Sequence, residues 1–79
     1  NVKAYPNPAH DETWILLPDD YSGNAIIRVR NTLGQIIETR EVNIKEGKLQ
    51  VNLDDYSSGV IIIELEIAEK ELRTLVVKK

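Results

Sequence analysis

The chain has 79 residues, a formal net charge of −3 and no cysteine. This length fits one domain around one hydrophobic core, which excludes a second domain. Because the ten Lys and Arg are interspersed with thirteen Asp and Glu, we expect no nucleic-acid partner, and without cysteine neither a disulfide nor a thiolate metal site can form.

Short runs rich in Val and Ile recur along the chain, separated by Gly, Asn, Asp, Ser or Pro. A spacing of about 8–12 residues between such breaks is typical of an all-β sandwich. We predict seven strands, at residues 2–5, 13–17, 25–30, 36–43, 48–53, 60–67 and 72–78.

Apolar and polar residues alternate in the fifth and sixth predicted strands. In the fifth, the two-residue period places Leu49, Val51 and Leu53 inward. In the sixth, Glu64 and Glu66 cannot be buried unpaired without a large desolvation cost. The inward positions of that strand are therefore Ile61, Ile63, Leu65 and Ile67.

Three predicted turns contain a glycine, Gly34, Gly47 or Gly59. Because glycine tolerates positive φ, we predict a hairpin at each of these places. Residues 67–73 contain good helix formers and no glycine. A short helix before the last strand therefore stays open as an alternative to a turn.

Catalytic groups are scarce. His10 is the single histidine. The best catalytic arrangement available is His10 as a general base whose orientation is set by Asp11. Because no second histidine or cysteine completes a common constellation, a solvated loop histidine is the favoured interpretation. We expect neither an enzyme nor a cofactor.

The acidic turns offer one metal hypothesis. Asp19, Asp20, Asp54 and Asp55 supply oxygen ligands of the kind that Ca²⁺ prefers. Their spacing matches no calcium loop, so we favour solvated turn residues and predict no metal site.

The aromatic residues and the basic residues each suggest a binding site on the surface. In both cases the same residues also have a simpler structural explanation. Trp14 lies within the second predicted strand, where we expect it to help fill the core. The alternative is an aromatic platform of Trp14 with Tyr5, Tyr21 and Tyr56. A small basic patch of Arg28, Arg30 and Arg40 is the second alternative, but exposed charges on strands also discourage aggregation.

The run Tyr5-Pro6-Asn7-Pro8-Ala9, followed by Asp11, resembles the opening of the type IX secretion sorting domain family, type A. Its two prolines fix φ and keep the preceding residues extended. The resemblance spans the whole chain and departs from the family pattern at Ile61 and at residues 68–71. The sorting residues that it implies are Tyr5, Pro6, Asn7, Pro8, Asp11, Gly23, Gly34, Gly59, Leu75, Val76, Val77, Lys78 and Lys79.

This resemblance implies an immunoglobulin-like β-sandwich at the C-terminal end of a larger Bacteroidetes-type cargo protein. The cargo would cross the periplasm and reach the outer-membrane surface or the medium. The implied partners are the outer-membrane type IX translocon and a sortase, which removes the domain and can join the cargo to anionic lipopolysaccharide. In this picture the domain is a substrate of the sortase.

The first residue is Asn, which predicts a piece of a longer precursor with its cargo upstream. We take residues 1–79 as one sorting domain. Two other functions stay open: an immunoglobulin-like accessory module that binds carbohydrate or protein, and a structural spacer. Dimerisation through an edge strand also stays open.

Overall fold

The computed structural model describes residues 2–79, so the prediction that rests on Asn1 lies outside the described residues. The described residues form strands and turns without a helix, and hence no helix that could cross a membrane. Each predicted strand is present, with bounds within two residues of the prediction. The strands are β1 (Lys3–Tyr5), β2 (Glu12–Leu16), β3 (Gly23–Arg30), β4 (Ile36–Ile44), β5 (Lys48–Asn52), β6 (Gly59–Ile67) and β7 (Lys70–Lys78).

The strands form two antiparallel sheets that pack face to face. One sheet has the order β1-β2-β5 and the other has the order β4-β3-β6-β7. Within each sheet all named pairs are antiparallel. This arrangement confirms the predicted immunoglobulin-like sandwich. It also makes β7 an edge strand of the larger sheet, close to β1 of the smaller one.

The core lies between the sheets and is aliphatic. The predicted inward residues of β5 and β6 are buried, as is Leu53 directly after β5. Burying each Leu, Ile or Val side chain contributes about 1.5–3 kcal/mol to folding. The residues that form this core are Ala9, Ile15, Ala25, Ile27, Val29, Ile44, Leu49, Val51, Leu53, Ile61, Ile63, Leu65, Ile67 and Val76.

The prediction that Trp14 fills the core is wrong. Its side chain lies on the outer face of β2 and is 40% exposed. The inward positions on either side are taken by Thr13 and Ile15, both fully buried. Because side chains alternate across a strand, Thr13 and Trp14 cannot both face the core.

Of the three predicted glycine hairpins, the β3–β4 hairpin is confirmed, whereas the β4–β5 segment is a tight turn, closed by a bridge between Lys45 and Lys48, that joins the two sheets. The β3–β4 turn is bound by the Asn31 side chain, whose Oδ1 accepts hydrogen bonds from the backbone of Leu33 and Gln35 at 2.9 and 3.0 Å. The β4–β5 turn has Gly47 at φ 73°, where an added Cβ would lie 2.2 Å from the Asp19 carbonyl oxygen. The segment before Gly59 is not a hairpin, because it joins β5 to β6 across the two sheets.

The helix alternative for residues 67–73 is also wrong. Ile67 pairs directly with Lys70, so Ala68 and Glu69 form a two-residue turn. Ala68 takes a φ of 55°, which glycine or asparagine usually supplies. Pairing along the whole of β6 and β7 outweighs the helix propensity of this short run.

Candidate functional site

The proline-rich motif near the start of the chain lies against the last strand. Asn7 binds the outer edge of β7 through its side chain: Nδ2 donates to the Leu75 carbonyl oxygen and Oδ1 accepts from the Val77 N–H, both at 2.9 Å. A side-chain amide has the same donor and acceptor as a peptide group. Asn7 therefore supplies the hydrogen bonds that a neighbouring strand would make.

Ala9 continues this contact with its backbone. Its N–H donates to the Val77 carbonyl oxygen and its carbonyl oxygen accepts from the Lys79 N–H, both at 2.8 Å. The Ala9 methyl group is fully buried in the core. We call residues 7–9 the strap. The strap closes the edge of β7 from Leu75 to Lys79.

Thr13 binds the residue before the strap to the smaller sheet. Its hydroxyl is fully buried and donates to the Pro6 carbonyl oxygen at 2.9 Å. The sequence analysis did not single out Thr13. The signal that could have identified it is a polar residue at an inward position of β2, because a buried hydroxyl requires a hydrogen-bond partner.

Lys78 is bound within the protein. Its ammonium group donates to the carbonyl oxygens of Leu53 at 2.6 Å and of Tyr56. These carbonyls belong to the connection between β5 and β6, across the sandwich from β7. Lys78 therefore joins the C-terminal end of β7 to a loop that leaves the other sheet.

The rest of the β7 edge is open. Leu75 and Val77 point their carbonyl groups away from β6, so in this alternating ladder the backbone of Glu71 and Arg73 points the same way. Within residues 2–79 no backbone segment pairs with this part of the edge. The tail, residues 72–79, therefore offers unpaired backbone groups before Leu75, whereas the strap occupies its edge from Leu75 onward.

The remaining predicted sorting residues are spread over the domain. Tyr5 ends β1 and its side chain is exposed, and Asp11 contributes its carbonyl oxygen to the Leu53 N–H at 2.7 Å. Gly59 lies opposite Lys78 at the end of β6. Gly34 is in the β3–β4 turn, and Gly23 is at the opposite end of β3. The motif and Gly59 are brought together with the tail, whereas Gly23 and Gly34 lie apart from it.

A charged network crosses the outer face of the larger sheet. Glu64 is 6% exposed and accepts hydrogen bonds from Arg30 at 3.0 Å and from Arg73. These bonds lower the pKa of the Glu64 carboxyl below its usual value. Arg28 pairs with Glu66 on this face at 2.8 Å. Arg40 lies opposite Ile27, on the other face of the sheet, and pairs there with Glu38 at 3.0 Å. The predicted basic patch is therefore largely neutralised.

Two of the aromatic residues lie side by side on the smaller sheet. Tyr5 and Trp14 are direct cross-strand partners and are 70% and 40% exposed. The other two lie elsewhere and use their hydroxyls within the protein: Tyr21 donates to the Asn24 carbonyl oxygen at 2.8 Å and Tyr56 donates to Glu38. Burial and the Glu38 contact raise the pKa of Tyr56 to about 12.

The acidic turns do not come together. Asp19 and Asp20 precede β3 near the β4–β5 turn, whereas Asp54 and Asp55 follow β5 at the other end of the sandwich. Across residues 2–79 no three His, Asp or Glu side chains are grouped in a way that could hold a metal ion. His10 is exposed beside the strap.

Comparison with known families gives one match, which covers nearly the whole chain. The model of the secretion system C-terminal sorting domain matches residues 3–79. The matched range includes the strap, the tail and every strand of both sheets. A search of curated proteins finds no match.

Proposed function

This chain belongs to the family of secretion-system C-terminal sorting domains, and we propose that it directs a cargo protein in the same precursor across the outer membrane through the type IX translocon. The observation that carries this proposal is the junction of the strap with the tail. Residues from the two ends of the domain meet along β7, so the signal is a folded surface rather than a linear peptide.

The strap gives the tail a defined shape. Four hydrogen bonds from residues 7–9 to residues 75–79 hold the end of β7 in register. The Lys78 ammonium adds contacts to a second loop. A translocon that reads this region would thereby recognise cargo only after its sorting domain has folded.

The later steps follow from the family and are part of the proposal. A sortase removes the domain, and the cargo is attached to surface lipopolysaccharide or released into the medium. The domain is then a substrate and performs no catalysis. The sortase would act upstream of the Tyr5-Pro6-Asn7-Pro8 motif, on the N-terminal side of β1.

The open half of β7 is suited to strand addition. The backbone of Glu71 and Arg73 can pair with an extended segment of the translocon, since an unpaired sheet edge is a template for another strand. The same edge admits a second copy of the domain. Dimerisation is therefore the competing use of this edge.

Localisation of the full-length precursor tests the proposal. We expect the cargo to reach the surface or medium, with loss of the domain, in a type IX-competent host and to stay periplasmic and uncut in a translocon-deficient one. Deleting residues 75–79 should also leave the cargo in the periplasm of the competent host. Surface display of the truncated precursor, or display without the translocon, would contradict a sorting function.

A second function is favoured by one observation, the exposed pair of Tyr5 and Trp14. Adjacent aromatic rings can stack on sugar rings, and Gln50 lies directly opposite Trp14 on β5 as a hydrogen-bonding side chain. A carbohydrate-binding module would show a higher thermal midpoint with cellohexaose, lost in Trp14→Ala. An unchanged midpoint would remove this candidate.

A further inference from the structure

The outer face of the larger sheet carries an exposed aliphatic strip. Val60 pairs with Val77 and Ile62 with Leu75, while Ile36 lies in the same row across β3. We call these five residues the apolar strip. Leu75 is 55% exposed, Val60 42% and Val77 40%. None of these side chains contributes to the core between the sheets.

The strip is the main apolar surface of the described chain. Eight large hydrophobic side chains are exposed in residues 2–79, and six of them lie in the strip or in the adjoining β3–β4 region. The two others, Tyr5 and Trp14, are on the opposite sheet. Exposed apolar side chains gathered at one place mark an interaction surface, whereas single ones do not.

The charges beside the strip are unequal. Arg30 and Arg73 flank it, and both bind the same carboxylate, Glu64, so two guanidinium groups share one negative charge. The acidic residues of this face lie towards its other end, where Glu66 stands between Ile26 and Glu71. The border of the strip is therefore positive and the far end of the same face is acidic.

On the basis of the proposed function, we infer that the apolar strip is the surface by which the domain docks on the secretion machinery, and that its partner is a protein surface with an apolar centre and an acidic border. The inference adds Ile36, Val60 and Ile62 to Leu75 and Val77, which the family resemblance already implies. Apolar contact supplies the affinity, and the border charges fix the orientation.

The positive border argues against a second copy as the occupant. In a symmetric dimer the same patch faces itself. Two strips that overlap along the strand direction would bring Arg30 and Arg73 of one copy towards the same groups of the other. An acidic partner removes this repulsion, because opposite charges then meet around the apolar contact.

Substitutions at Val60 and Leu75 in the full-length precursor test the inference in a competent host. Both side chains are exposed and outside the core, so the thermal midpoint should stay within a few degrees of the unmodified value. We expect Val60→Glu and Leu75→Glu to lower surface display about tenfold, because a charge replaces a central apolar contact. Lysine at the same positions should be less harmful, since it suits an acidic partner.

Thr39 provides the matched control. It is exposed on β4, opposite Arg28, and lies outside the strip on the same face of the larger sheet. Thr39→Glu should leave surface display within about twofold of the unmodified precursor, because exposed positions away from an interface contribute little. A photocrosslinker at Val60 should attach to a translocon component, and one at Trp14 should not.

Three results would overturn the inference: export of Val60→Glu at the unmodified level, greater harm from lysine than from glutamate, or crosslinking of Val60 to a second copy or to the cargo. These results are distinct from failure of the sorting function. If deletion of residues 75–79 blocks export while Val60→Glu does not, the domain sorts by another surface. If the deletion has no effect, the sorting function itself fails.

Discussion

The two halves of β7 are held in different ways. After Leu75, the backbone of the strand is hydrogen-bonded on both edges, to β6 on one side and to the strap on the other. Before Leu75, only the β6 side is paired, and Arg73 is held through its side chain by Glu64. One strand thus combines a closed end with an open one.

This difference shows how a small sandwich manages an edge strand near its chain end. Terminal segments fray unless other elements hold them, and an open edge invites pairing with other chains. For residues 75–79 the strap prevents both fraying and pairing with another chain, because one side-chain amide and the backbone of one residue bind this part of the edge. The open half keeps the backbone groups that a partner can use.

The largest expected difference between the halves concerns two neighbouring positions, Val76 and Thr74. Val76 is fully buried, whereas Thr74 is half-buried. Val76→Asp buries an unpaired carboxylate and should lower the free energy of unfolding by at least about 3 kcal/mol. Thr74→Asp should lower it by less, about 1 kcal/mol, because a half-buried carboxylate keeps contact with water. Urea unfolding measures both, and equal losses would mean that the two halves are packed alike.

Removal of the strap contact should have an intermediate effect. Asn7→Ala deletes two hydrogen bonds to Leu75 and Val77, so we expect a loss of about 1–2 kcal/mol in the free energy of unfolding. Asn7→Asp retains the acceptor for the Val77 N–H and should lose less.

Hydrogen exchange locates the same effect in the strand. The Val77 and Lys79 amides should exchange slowly because the strap binds them, and the Glu71 and Arg73 amides should exchange fast. Asn7→Ala should speed exchange at Val77 and leave Arg73 unchanged. Slow exchange at Arg73 in the unmodified protein would show that the open half is covered.

The smallest effect concerns Glu64, which anchors the open half through Arg73. Hydrogen bonds from Arg30 and Arg73 lower its pKa below the usual 4.5. The ionised carboxylate therefore stabilises the fold above pH 4.5, and this contribution disappears as the pH falls through the lowered pKa. Glu64→Gln should cost about 1 kcal/mol at neutral pH, reduced by the exposure of Arg73.

The free energy of unfolding of the unmodified protein and of Glu64→Gln, measured between pH 3 and pH 7, tests the direction of this pH dependence. The difference in unfolding free energy between the unmodified protein and Glu64→Gln should be constant near neutrality and shrink as the solution becomes acidic. A difference that grows on acidification would mean that the carboxyl is stabilised in its protonated form.

Much of the fold could be predicted because the local signals agree. Alternation in residues 48–53 and 60–67 gave the inward faces of β5 and β6, and glycine gave the turns that follow β3 and β4. The failures came where a local signal competes with pairing. Residues 67–73 favour helix by propensity, but the strands beside them impose a turn. Trp14 is apolar, but its place in the alternation of β2 turns it outward.

The sequence predicted the separate segments of the site but not the contacts between them. The motif at residues 5–9 and the tail were both identified through the family resemblance. Nothing in the spacing indicated that Asn7 would bind Leu75 and Val77, which are 68 and 70 residues away. Contacts at such separation depend on which sheet edges become neighbours.

By itself, the sequence determined the all-β class, the strand positions, the buried faces and the family, because each depends on local periodicity or on motifs in order along the chain. The tertiary structure alone decided that the strap closes half of β7, that Lys78 binds the loop after β5, and that five aliphatic residues from β4, β6 and β7 form one strip. These features arise from strand order and register, which bring distant residues to the same edge or face.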